Sequence, residues 1–145
     1  MGGNIISMRT LKHWTVTGLA SVFLFGSAAA SEMTGSEIKE LLSGKTAYVE
    51  TTAASVTGTP GQGVIYYAQD GTGLYKTPKG AIWHGTWAVK GDLFCTEWKE
   101  GPKRACQKFD REGDVVKSID SETGQVRIKI LRTAPGNAEK LTLAD

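Results

Sequence analysis

The feature that most constrains the fold of this chain is the regular spacing of turn sequences after residue 46. Short runs rich in β-branched and aromatic residues alternate with glycine-containing turns such as Asp70-Gly71 and Glu112-Gly113-Asp114. This pattern is typical of consecutive β-hairpins, and no helical pattern of useful length interrupts it, so parallel βαβ units are not expected. The predicted strands are 47–52, 64–69, 73–77, 81–89, 93–99, 104–110, 115–120 and 125–133.

A short helix precedes the predicted strands. Thr34 and Glu37 have the spacing of a capping box, and Ile38, Leu41 and Leu42 fall on one helical face before Gly44. Gly44-Lys45-Thr46 lacks the earlier glycine of a phosphate-binding loop and is interpreted as the end of this helix.

These patterns predict one mainly β domain. A short N-terminal helix is followed by an antiparallel meander of about eight strands, closed into a small barrel or sandwich. The predicted parts are a β-domain over 31–145, with the helix over 34–43, the meander over 46–134 and a loosely held tail over 135–145.

Residues 1–30 have the pattern of a signal peptide. Arg9 and Lys12 precede an apolar stretch over 14–26, and small residues follow as far as Ala30. We therefore expect cleavage after Ala30, export to the periplasm or the medium, and no stable membrane anchor afterwards. An uncleaved anchor is the alternative, although the stretch is at the short limit for spanning a bilayer.

The charge balance argues against a nucleic-acid partner. Without residues 1–30 the chain carries 15 basic and 15 acidic side chains, and binding to phosphates requires a basic patch. Arg127, Lys129 and Arg132 come nearest to one, but their spacing is that of a solvated strand face.

Two cysteines, Cys95 and Cys106, predict a structural disulfide in an exported chain. If the hairpin between them turns at Glu100-Gly101, Cys95 faces Cys106 directly and Glu97 faces Arg104 as a cross-strand ion pair. Redox-active pairs usually have Cys-x-x-Cys spacing, and a structural zinc site needs four ligands. The sequence therefore predicts no metal site and no cofactor.

No catalytic apparatus is evident in the sequence, and we expect a chain that is not an enzyme. His84 is the sole histidine after residue 30, and no Gly-x-Ser-x-Gly motif accompanies it. A general base needs a nucleophile and an orienting group, so His84 is interpreted as a surface residue of a strand. Asp92, Glu97 and Asp110 lie in predicted turns or opposite cations, where structural roles are common.

The tryptophans have two interpretations. Trp83, Gly85 and Trp87 share one face of their predicted strand, and core packing is favoured because so small a domain has few other large side chains. The alternative is the wall of a ligand cavity formed by Trp83, Trp87 and Tyr66. Tyr66 and Tyr67 point to opposite faces, so one of them is expected in the core and the other at the surface.

Several stretches resemble a group of small exported proteobacterial proteins. The layout of that group is a leader, a short helix, a meander with an Asp-Gly-Thr hairpin, a Gly-Thr-Trp strand and two cysteines. The matching stretches are 42–44, 66–73, 85–98 and 106–109. The resemblance implies architecture and export and supplies no catalytic residue. Gly85-x-Trp87 is also similar to the Gly-x-Trp of lipocalin-type barrels, where it lies on the first strand; here three predicted strands precede it.

The sequence therefore predicts a non-catalytic exported domain that binds a protein or a small ligand in the cell envelope. A periplasmic inhibitor of an envelope-attacking hydrolase is one concrete form of this hypothesis. The first alternative is a carrier of an apolar small molecule inside the barrel. The second is a carboxylate-based hydrolase.

Overall fold

The computed structural model describes residues 3, 26, 29–101 and 103–143. The predicted signal peptide therefore lies almost entirely outside the described residues. In chain order the elements are β1 (Ser31–Glu32), α1 (Gly35–Leu42), β2 (Lys45–Thr51), β3 (Gly61–Tyr67), β4 (Thr72–Lys76), β5 (Ile82–Lys90), β6 (Leu93–Trp98), β7 (Ala105–Glu112), β8 (Val115–Asp120) and β9 (Val126–Pro135).

Strands β2 to β9 form one antiparallel meander in which each strand pairs with the next along the chain. β9 also pairs with β2, from Thr51↔Ile128 to Lys45↔Pro135, and this pairing closes the meander into an eight-stranded barrel. The predicted mainly β fold is confirmed, and its closed form is a barrel rather than a sandwich. All eight predicted strands are present, with ends that differ from the prediction by no more than three residues.

β1 is an additional strand that the sequence analysis missed. It pairs with β7 through Ser31↔Arg111 and Glu32↔Asp110. β8 occupies the other side of the same β7 residues, and the pairing of β6 with β7 runs only from Phe94 to Thr96. β1 therefore fills the gap that opens where β6 and β7 separate.

Helix α1 plugs one end of the barrel. The predicted capping box at Thr34 and Glu37 is present, and the side chains of Ile38 and Leu42 are fully buried against the barrel core. The apolar face of the amphipathic helix thus closes this end of the barrel with hydrophobic side chains. We call this the helix end of the barrel. No helix in the described part of the chain is long and apolar enough to span a bilayer.

The opposite end, which we call the loop end, carries the connections 52–60, 77–81, 99–104 and 121–125. These connections include the longest one, 52–60. No helix of the described residues crosses the loop end.

The cysteine pair lies on the outer wall of the barrel. Cys95 and Cys106 are directly opposite each other across β6 and β7, with Cα atoms 4.1 Å apart and sulfur atoms at disulfide distance. The predicted pairing is confirmed and is consistent with an oxidising, exported location. The predicted ion pair between Glu97 and Arg104 is wrong: the described residues include no salt bridge between them.

Replacing both cysteines by serine should lower the free energy of unfolding by about 2–4 kcal/mol, because the bridge restricts the unfolded chain. Urea unfolding of the oxidised wild type and of Cys95→Ser/Cys106→Ser measures the difference. The control is reductant, which should lower the stability of the wild type to that of the variant and leave the variant unchanged. Equal stability of the oxidised wild type and the variant would show that the bridge contributes nothing.

The segment after β9 is held more firmly than predicted as far as Leu141. Asn137 exchanges two hydrogen bonds of 2.9 Å with the backbone of Leu141, and the Leu141 side chain is only 6% exposed. The Tyr48 hydroxyl also donates a hydrogen bond to Glu139. The prediction of a loose tail is therefore wrong for 136–141, because an asparagine turn and one buried leucine anchor it.

Candidate functional site

A cluster of aromatic side chains occupies part of the barrel interior. Tyr67, Trp87 and Phe94 contact one another with ring centroids 5.5–6.1 Å apart, and Phe94 lies 5.0 Å from Phe109. The remaining interior cavity measures about 20 Å³, which is room for about one water molecule. Its lining includes Val56, Tyr75, Thr96, Trp98, Gln107 and Arg127.

The three predicted cavity-wall residues lie in three different places. Trp87 is 7% exposed in the aromatic core, and its indole N–H donates a 2.9 Å hydrogen bond to the Ala68 carbonyl. Tyr66 was the wrong tyrosine, because the alternation along β3 turns Tyr67 inward, where it is 1% exposed, and leaves Tyr66 on the outer wall.

Trp83 lies at the loop end, partly buried against the core. It lines a cleft of about 190 Å³ between the connections 52–60 and 77–81, which we call the Trp83 cleft. The other residues of the cleft are Thr57, Thr59, Thr77, Pro78, Lys79 and Ala81.

A β-bulge places Arg127 where the sequence did not predict it. The register of β8 and β9 shifts between Ser118↔Ile128 and Ile119↔Val126, which leaves Arg127 unpaired in the ladder. Regular alternation would put Arg127 beside Lys129 on the outer wall, but the bulge redirects the side chain into the lining of the interior cavity. There its guanidinium forms an ion pair with Asp120.

Asp120 is held in its ionised form by several donors. The Thr123 backbone N–H, the Arg127 guanidinium and the Glu122 backbone N–H all donate to its carboxylate, and together they hold its pKa well below the usual range. The Asp120–Arg127 pair therefore stays charged under physiological conditions and fixes the 121–125 connection to the barrel.

A large concave surface with charged walls lies outside the barrel, on the β5–β6 hairpin. A groove of about 600 Å³ runs between the hairpin and the 99–104 connection, with His84, Thr86, Glu97, Lys99 and Lys103 in its walls. A smaller hollow of about 190 Å³ shares Thr86 and Glu97 with it and extends it. The hollow adds Ala88, Lys90, Cys95 and Arg104. We call the two together the outer groove.

The outer groove is basic. Four cations, Lys90, Lys99, Lys103 and Arg104, line the groove with one carboxylate, Glu97, and a second carboxylate, Glu100, lies beside it on the backbone N–H of His84. None of the four forms an ion pair with a carboxylate of the described residues, whereas the salt bridges that are present lie on other parts of the molecule. Their positive charge is therefore available to a ligand.

The hydrogen bonds that the structure shows for His84 are made by its backbone atoms. Its backbone N–H donates a 3.0 Å hydrogen bond to the Glu100 carboxylate, and its carbonyl accepts one of 2.9 Å from Lys99 N–H. The buried Nδ1 of its imidazole has no hydrogen-bond partner within the described ranges. The described residues include no group of three or more His, Cys, Asp or Glu close enough to hold a metal ion.

Of this geometry, the sequence predicts the hairpin and the cysteine pair but not the outer groove. The four cations are scattered from residue 90 to residue 104, and only the hairpin register brings them together. Comparisons of the chain with protein-family models, with curated proteins and with solved structures found no match. The function must therefore be argued from the site itself.

Proposed function

We propose that this chain is a non-catalytic, exported binding domain whose outer groove receives an acidic segment of a protein of the cell envelope. The observation that carries the proposal is the set of four cations without ionic partners around one concave surface. Charge complementarity of this kind steers association and selects partners.

The size of the concave surfaces favours this proposal over a carrier. Sites for small molecules usually enclose about 300–1,000 Å³. The interior cavity, at about 20 Å³, is far too small in the closed barrel, whereas the main part of the outer groove, at about 600 Å³, lies within that range. Binding on the outer wall therefore fits the molecule better than transport of an apolar cargo in its interior.

Catalysis by paired carboxylates receives little support from the geometry. Glu97 is the single carboxylate among the lining residues of the outer groove, the interior cavity and the Trp83 cleft. Glu100, beside the groove, is engaged by the backbone N–H of His84. Glycoside hydrolysis by acid and base needs two carboxyl groups about 5–9.5 Å apart. A binding role is the simpler proposal.

Reversing two groove charges should abolish most binding. The probe is a fluorescent twelve-residue peptide rich in Asp and Glu, titrated with the oxidised domain at low salt and followed by anisotropy. We expect Lys99→Glu/Lys103→Glu to weaken peptide binding about tenfold or more. Added salt should weaken peptide binding by the wild type, because it screens the charges.

The matched control is Lys39→Glu/Lys76→Glu, which reverses two exposed charges on α1 and β4 away from the outer groove. It should change the affinity less than twofold. Both variants are then used to capture proteins from an envelope extract. A protein retained by the wild type and the control, but lost with the groove variant, would support the proposal. Equal binding by the two variants would overturn it.

A further inference from the structure

The 52–60 connection separates two spaces at the loop end. Its Val56 side chain packs on the core and lines the interior cavity, while its Thr57 and Thr59 line the Trp83 cleft. Tyr75 in the cavity wall contacts Trp83 in the cleft wall, with ring centroids 6.0 Å apart. The connection is therefore the partition between the interior cavity and the cleft.

Two hydroxyl groups in the cavity wall have no hydrogen-bond partner within the described ranges. They belong to Thr96, which is 5% exposed, and to Tyr75, which is 1% exposed and whose hydroxyl lies beside that of Thr57 in the 52–60 connection. Buried hydroxyls in folded proteins are nearly always paired. The Thr96 hydroxyl therefore points to a ligand that accepts a hydrogen bond from it, and the Tyr75 hydroxyl can donate to the same acceptor once Thr57 moves away with the connection.

The other polar groups of the cavity are also donors. The Gln107 carbonyl oxygen accepts a hydrogen bond from the Ser118 hydroxyl, so the amide N–H groups of Gln107 remain to be shared. Arg127 gives Nε and Nη2 to Asp120, which leaves its Nη1 group. With no carboxylate in its wall, the cavity favours an acceptor such as a carboxylate.

The rest of the joined space is aromatic. Tyr75 and Trp98 line the interior cavity, with ring centroids 5.5 Å apart, and Trp83 and Pro78 line the cleft beyond the partition. An aromatic ring packs well on such walls, because edge-to-face and offset contacts are favourable. The shape thus suits a small molecule with an aromatic body and a carboxylate head.

The partition is attached to the barrel mainly at its two ends. Thr52 donates its hydroxyl to the Val126 carbonyl, and the Thr51 hydroxyl holds the carbonyl of Thr59. Between these anchors the backbone N–H groups of Ala54, Ser55 and Gly58 bond only within the connection. The central part can therefore swing outward without breaking a backbone hydrogen bond to the barrel.

We propose that the 52–60 connection is a lid, and that withdrawal of Val56 joins the interior cavity and the Trp83 cleft into one chamber for a small aromatic carboxylate. The Tyr75 and Thr96 hydroxyls donate to the carboxylate, and the ring lies against Trp83. This site shares the lining residues Thr96 and Trp98 with the outer groove but none of the groove cations, and it binds a small solute rather than a protein.

The test is titration of the domain with phenylacetate, followed by tryptophan fluorescence and by NMR chemical shifts. We expect saturable binding that is about tenfold weaker in Tyr75→Phe/Thr96→Val. Both substitutions preserve shape and remove only one hydroxyl group each, so the fold should be retained. Val56→Ala should bind more tightly than the wild type, because the lid then closes less firmly. Val64→Ala, a change of the same size on the outer wall, should bind as the wild type does.

Two results would overturn the proposal. One is the absence of saturable binding in both the wild type and Val56→Ala. The other is unchanged affinity in Tyr75→Phe/Thr96→Val, or equal affinity for phenethylamine, in which a cation replaces the carboxylate. Lys99→Glu/Lys103→Glu should bind phenylacetate normally, so failure of this site and failure of the outer groove are distinguishable.

Discussion

Replacing Gly85 by alanine is expected to destabilise the barrel by about 3 kcal/mol or more, and to prevent folding altogether if total stability is low. Gly85 faces Gly73 across β4 and β5, and the Trp98 side chain approaches both glycines. A Cβ atom on Gly85 would collide with the Glu97 carbonyl oxygen and lie 2.7 Å from Cε3 of Trp98. Because the carbonyl belongs to the paired strand β6, it cannot move aside without breaking the ladder.

Gly73→Ala is the matched control for this prediction. Its new Cβ atom would lie 3.2 Å from the far edge of the Trp98 ring and would meet no backbone atom so closely. A small shift of the ring relieves that contact, so the cost should be clearly lower than at Gly85. Urea unfolding of both variants measures the difference. Equal losses would show that Trp98, and not the Glu97 carbonyl, limits the space beside these glycines.

Shortening Leu42 to alanine should lower the free energy of unfolding by about 2–5 kcal/mol, which is the usual cost of a cavity at a fully buried leucine. Leu42 has no exposed surface and holds the last turn of α1 in the helix end of the barrel. The loss combines the transfer of the removed atoms with a void that the rigid strands cannot fill. Thermal or urea unfolding measures it.

Leu131→Ala controls for the loss of a leucine side chain as such, because Leu131 is 41% exposed at the bulge between β2 and β9. It should change stability by about 0.5 kcal/mol or less. If Leu42→Ala were as mild as Leu131→Ala, the helix would be a loose cover rather than a plug.

The sequence predicted the course of the barrel wall because glycine turns and β-branched runs are local signals. The register of β6 and β7 was also predictable, since the two cysteines can meet only if they lie directly opposite each other. Choosing a barrel over a sandwich was beyond the sequence, because that choice depends on the pairing of β2 with β9, which are far apart in the chain.

The errors concern side chains whose positions depend on neighbouring strands. Arg127 belongs to a clear alternating pattern. A bulge that no local sequence signal predicts turns its side chain toward the interior cavity. Tyr66 and Tyr67 are adjacent and alike in size, so nothing local decides which faces inward. β1 is only two residues long, too short for any periodicity. The outer groove could not be predicted from local sequence for a related reason, since its cations come from two strands and a connection.

The closure of β9 onto β2 also governs how the molecule can be made. A ribosome supplies β9 after the other seven strands of the barrel, so β2 lacks its second neighbour until all of those strands have been synthesised. A chain halted or clipped before β9 would leave β2 and β8 each with an unpaired edge, the kind of edge that joins other chains in aggregates. We expect such a polypeptide to remain bound to a chaperone, or to stay unfolded, until β9 is available.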